Sequence, residues 1–112
     1  MRLQERESDG VVVLELIGKV MGGPDASLLN EKLHELIDAG KARVVLDLAQ
    51  VNWMNSSGLG ILIGGLTTMR NNDGDLKLAN VTERIHSLLT ITKLVSVFET
   101  FPSVEAAVRS FV

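Results

Sequence analysis

The chain has 112 residues, of which 46% are hydrophobic and 22% charged, and its formal net charge is -3. These proportions are typical of one globular domain spanning residues 1–112. The acidic balance without a basic stripe argues against nucleic-acid binding. The absence of cysteine excludes disulfides, thiolate nucleophiles and Cys-ligated zinc. Because the sequence lacks a signal-like N-terminus and an apolar run of membrane-spanning length, we expect a cytoplasmic protein that makes no membrane contact.

The first third of the chain predicts two strands and a helix. Residues 3–6 and 11–17 are predicted as strands joined by a turn, because the Asp-Gly pair at residues 9–10 accepts positive φ. Residues 18–23 are predicted as a loop. Pro24 and Asp25 suit the first turn of a helix, and Gly40 is expected to end that helix as a left-handed cap.

Strands and helices then alternate to the end of the chain. Strands are predicted over residues 42–48, 76–81 and 95–98. Residues 51–54 are predicted to link the first of these strands to a serine-bearing loop. Helices are predicted over residues 57–71, after the N-cap residue Thr82, and after Pro102 and Ser103. This alternation predicts an α/β fold, with a mixed, mostly parallel sheet covered by four helices.

The most informative segment is Asn-Ser-Ser-Gly-Leu-Gly at residues 55–60, after a strand whose carboxyl end is the usual place for a site in such sheets. Any of its first three residues could simply cap the following helix. Glycines at residues 58, 60, 64 and 65 argue for more, because each interior helical glycine costs about 1 kcal/mol relative to alanine. Close packing on the sheet or close approach by another molecule would explain them.

Catalytic and cofactor sites fit this segment less well. The glycine spacing has one residue too many for a dinucleotide fingerprint, and no P-loop occurs. The G-x-S-x-G elbow of hydrolases is absent. Both histidines, His34 and His86, fall within predicted helices, and no residues have the spacing of metal ligands. We therefore predict no catalytic residue, no cofactor and no metal.

Residues 51–62 resemble the signature of STAS domains, specifically of bacterial anti-sigma factor antagonists, and the resemblance extends over nearly the whole chain. It implies a partner-switching binding module rather than an enzyme. The unphosphorylated form of such a module binds an anti-sigma factor that is also a serine kinase. That kinase phosphorylates the first serine of the motif, here Ser56, and a phosphatase restores binding. Asn55 stands where the family usually has an acid, and Met21 stands near a usual aspartate.

Partner contacts are expected on two segments that follow strands predicted to be parallel neighbours. They comprise Met21, Gly22 and Gly23, together with Met54, Asn55, Ser56, Ser57 and Gly58. The methionines would offer an adaptable apolar contact, or would alternatively fill the core. The alternative function is a STAS-type interaction module that is not phosphorylated, or one that binds a small ligand.

Overall fold

The protein, described over residues 1–112 by a computed structural model, is built on one five-stranded sheet. Its strands are β1 (Arg2–Ser8), β2 (Val11–Val20), β3 (Arg43–Met54), β4 (Asp75–Ala79) and β5 (Thr100–Phe101). They lie side by side in chain order, with β1 antiparallel to β2 and every other pair parallel. The prediction of a mixed, mostly parallel sheet is therefore confirmed.

Four helices cover the sheet, as predicted. They are α1 (Pro24–Asp38), α2 (Ser56–Arg70), α3 (Glu83–Ile91) and α4 (Val104–Arg109). Successive side chains of a strand point to opposite faces, so Val12 and Leu14 of β2 enter the larger core, while Val11 and Val13 enter the smaller one. The larger core also takes buried residues from α1, α2 and α3, whereas the smaller core takes them from α4. No helix has the length and apolar run needed to cross a bilayer.

Two glycine signals in the sequence are confirmed in the backbone. Asp9 and Gly10 have φ of 52° and 79° in the turn between β1 and β2, as a tight hairpin requires. Gly40 has φ of 75° just after α1. There the Lys41 N–H donates to the Leu36 carbonyl, which closes the helix end.

Strands β2 and β3 both run further than predicted, so residues 18–20 of the predicted loop and the linker predicted at residues 51–54 belong to strands, while residues 21–23 form the loop as expected. β2 continues to Val20, which lies opposite Met54 in the β3 register. The pairing of β2 with β3 continues through two shifts in register, one of them beside Gly18, whose φ is 97°. A bulge of this kind bends a strand without ending it.

The strand predicted over residues 95–98 was also wrong. The last strand is the two-residue β5, which pairs Thr100 with Leu78 and Phe101 with Ala79. Val95 and Val97 are 41% and 37% exposed, whereas Phe98 is 5% exposed. Residues 95–98 therefore form a turn segment in which only the Phe98 side chain is buried. A short apolar run of this kind has the same local pattern as a short strand.

Candidate functional site

The two segments predicted to contact a partner lie next to each other at one edge of the sheet. Val20 and Met54 are paired near the carboxyl ends of β2 and β3, so the residues that follow them emerge together. A Cβ placed on Gly22 would lie 3.2 Å from the Ser57 Cβ. The expectation that residues 21–23 and 54–56 are neighbours is therefore confirmed.

Asn55, and neither serine, caps α2. Its backbone is extended, and its Oδ1 accepts a hydrogen bond from the Gly58 N–H at 2.7 Å. Ser56 is then the first residue of the helix, and the Ser56 and Ser57 hydroxyls take part in no hydrogen bond within the protein. Both serines are exposed. The Ser56 hydroxyl is therefore accessible and has no structural bond to lose.

The electrostatic setting of Ser56 favours an anion. The first turn of α2 contains no acidic residue, and the capping oxygen comes from Asn55, which carries no charge. The N–H groups of Ser56 and Ser57 precede the first intrahelical bond, which Leu59 donates to the Asn55 carbonyl. Free N–H groups and the helix dipole together stabilise negative charge at such a position.

Gly58 is required by packing. A Cβ at this position would lie 2.1 Å from the Val20 carbonyl oxygen and 3.0 Å from Met54 Cγ. The start of α2 is thus pressed against the end of β2. Met54 is only 6% exposed, and Gly58 is buried as well. Both residues lie beneath the exposed serines, so Met54 does not offer a partner the apolar contact that was expected of it.

The loop after β2 is held by the helix that follows it. The Met21 N–H donates to Asp25 Oδ2 at 3.0 Å, and Gly23, at φ of 73°, leads into Pro24 at the start of α1. The Asp25 carboxylate therefore orders the loop backbone from the first turn of α1. Met21 itself is 41% exposed, so it belongs to the accessible surface.

Two lysines that face β1 have raised pKa values because of carboxylates on that strand. A hydrogen bond from Lys32 to Glu5 raises the pKa of the Lys32 ammonium, and a hydrogen bond to Glu7 raises that of Lys41. Lys41 is exposed and Lys32 is half-buried. The Lys32–Glu5 pair joins α1 to β1, and the Lys41–Glu7 pair joins β1 to the turn that follows α1.

A groove of about 510 Å³ runs between α1 and α2 beside Ser57. The four glycines of α2 differ in what an added side chain would meet. A Cβ on Gly65 would lie 3.1 Å from Leu33 Cδ1, whereas a Cβ on Gly60 or Gly64 would meet nothing within 4 Å. Packing within the protein therefore accounts for Gly58 and Gly65. Gly60 and Gly64 line the groove together with Gly65, but no contact within the protein requires a glycine at either position.

Comparison with known proteins agrees with this architecture. The family model described as the STAS domain matches residues 2–107. The chain belongs to the STAS domain family. BtrV of Bordetella bronchiseptica, named as an anti-sigma factor antagonist, is 30% identical over 111 residues, which cover 99% of this chain and 95% of BtrV. The anti-sigma-B factor antagonist of Bacillus subtilis is 34% identical over 84 residues, which cover 75% and 76% of the two chains.

A solved structure shows the same fold. The phosphorylated form of the Bacillus cell fate determinant SpoIIAA superposes with a TM-score of 0.71 at 19% identity, covering 97% of this STAS chain and 99% of SpoIIAA. The resemblance stated from residues 51–62 is therefore confirmed, as is the fold that it implied.

Proposed function

We propose that this STAS protein is a cytoplasmic anti-sigma factor antagonist that acts by binding rather than by catalysis. Its partner would be an anti-sigma factor that is also a serine kinase. Phosphorylation of Ser56 by that kinase would end the binding, and a phosphatase would restore it. The observation that carries the proposal is the exposed Ser56 hydroxyl, free of hydrogen bonds, at the first position of α2.

The accessible surface of the site is suited to such a switch. Met21, Gly22 and Gly23 on one side and Asn55, Ser56 and Ser57 on the other present small or apolar groups without charge. A phosphate adds about -1.5 to -2 charges and three acceptor oxygens. At the start of α2 the free N–H groups tolerate that charge, so the fold should persist. The partner, however, would have to desolvate the phosphate, which is unfavourable.

Comparison with relatives supports the proposal in two ways. BtrV and the Bacillus subtilis relative are both named as antagonists of anti-sigma factors. SpoIIAA, which has the same fold, exists in a phosphorylated form.

The binding test is a calorimetric titration of the anti-sigma factor, identified by capture from native lysate and then purified. Ser56→Ala should bind like the unmodified protein. Ser56→Asp should bind at least about a hundredfold more weakly, because a carboxylate must be desolvated in the contact. Thermal melts of each variant check the fold. Equal affinities for Ser56→Asp and wild type, with both folded, would contradict the switch.

The modification is tested with the same purified partner and ATP. The unmodified chain should take up one phosphate, detected as a mass shift, and Ser56→Ala should take up none. Ser57→Ala is the matched control and should still take up one phosphate, because Ser57 is the next residue of α2 and is also exposed. Phosphate on Ser57, or on neither serine, would contradict the assignment of Ser56.

The groove between α1 and α2 favours a second candidate function, the binding of a small ligand without phosphorylation. Its volume of about 510 Å³ is within the range of small-molecule sites. A thermal-shift screen with no partner present would detect a ligand. Gly64→Val would place a side chain in the open space of the groove and should abolish any such shift.

A further inference from the structure

A second exposed surface lies where the end of β3 meets α3, next to the surface formed by residues 21–23 and 55–57. Trp53 is 36% exposed and Ile91 is 78% exposed. Between them is a groove of about 280 Å³, which is also lined by Leu88 of α3 and by Met54. We call this surface the Trp53 groove.

Its composition is that of a contact surface. Isolated exposed apolar side chains are common and need no explanation. Here Trp53, Leu88 and Ile91 line one concave feature together. Tryptophan and arginine are the residues most enriched at the energetic centres of protein interfaces, and Arg84 lines the same groove.

The charge around the groove indicates the chemistry of what it would bind. Arg84 is the only charged residue that lines it. Lys19 lies opposite Trp53 in the β2–β3 register. Neither cation belongs to any of the ion pairs in the protein, although the chain as a whole carries a net charge of -3. An apolar side chain with a carboxylate next to it would complement this surface.

The groove is continuous with the surface assigned to the partner. Trp53 and Met54 directly precede Asn55 and Ser56 in the chain. The Met54 side chain lines the groove and also lies against Gly58 at the start of α2. We propose that the anti-sigma factor that covers Ser56 also inserts an apolar side chain into the Trp53 groove and places an acidic group against Arg84. This inference rests on the proposed function and adds the second half of its contact surface.

The test is calorimetric titration with the same purified anti-sigma factor. Ile91→Ser and Arg84→Glu should each weaken binding at least about tenfold, a typical loss at an interface centre. Both residues are exposed, and an acid in the first turn of α3 is compatible with the helix dipole. Val112→Ser, at an equally exposed apolar residue, and Arg6→Glu, on β1, are the matched controls and should bind like wild type. Thermal melts verify that each variant folds.

The outcomes separate this inference from the proposed function. Wild-type affinity in both Ile91→Ser and Arg84→Glu would overturn the role of the groove and leave the Ser56 proposal standing. Loss of binding in these variants, together with wild-type affinity in Ser56→Asp, would support the groove and overturn the switch. If the wild-type chain binds no anti-sigma factor, both proposals fail. Sedimentation tests whether the groove instead binds a second copy of the chain. A dimer that Ile91→Ser dissociates, without a change in affinity for the anti-sigma factor, would overturn the inference.

Discussion

At the scale of single residues, Asn55 separates the structural role of the serine loop from its chemical role. Its Oδ1 makes the capping bond to the Gly58 N–H that a serine hydroxyl would otherwise make. An aspartate would make the same bond but would add a negative charge next to Ser56. With asparagine, the cap is kept and the first turn of α2 stays free of negative charge, which favours the acceptance of a phosphate.

Gly58 provides a residue-scale prediction. Gly58→Ala should lower the free energy of unfolding by about 1–3 kcal/mol, because the new methyl group would overlap the Val20 carbonyl and force the start of α2 away from β2. Gly60→Ala is the matched control, since its methyl group would meet nothing. It should be neutral or stabilising by up to about 1 kcal/mol. Urea unfolding of the two variants measures the difference, and equal stabilities would contradict the close packing inferred at Gly58.

At the scale of elements, the segment between α3 and β5 depends on one anchor. Phe98→Ala should lower the free energy of unfolding by about 3–5 kcal/mol, because it empties a buried site in the larger core. Val97→Ala, at the exposed neighbour, should change it by less than about 0.5 kcal/mol. Chemical denaturation of both variants is the measurement. Comparable losses in the two variants would indicate that residues 95–98 pack as a strand after all.

At the scale of the whole molecule, the paired ends of β2 and β3 make residues 21–23 and 55–57 one surface. Binding of the anti-sigma factor should therefore slow amide exchange in both segments together. The α4 helix packs on the opposite face of the sheet and serves as an internal control that should not change. Hydrogen exchange followed by mass spectrometry, with and without partner, measures this. Protection absent from both segments would remove the basis for the shared contact surface.

The sequence by itself determined the features that depend on neighbouring residues. The Asp9-Gly10 turn and the Gly40 helix end are local, because positive φ is a property of the residue and its turn. The alternation of strand and helix patterns was sufficient for the mixed, mostly parallel sheet. The motif at residues 51–62 indicated the family, which the family model confirms, and Ser56 as the candidate switch.

Only the tertiary structure decided which of these residues are accessible. The burial of Met54 follows from the approach of α2 to β2, and the exposure of Ile91 follows from where α3 meets β3. The extent of β2 and β3 and the loss of the strand at residues 95–98 depend on register with a partner strand distant in sequence. Local patterns do not show which remote segments will pair or pack, because burial and pairing are set by the chain segments that come together in the folded state.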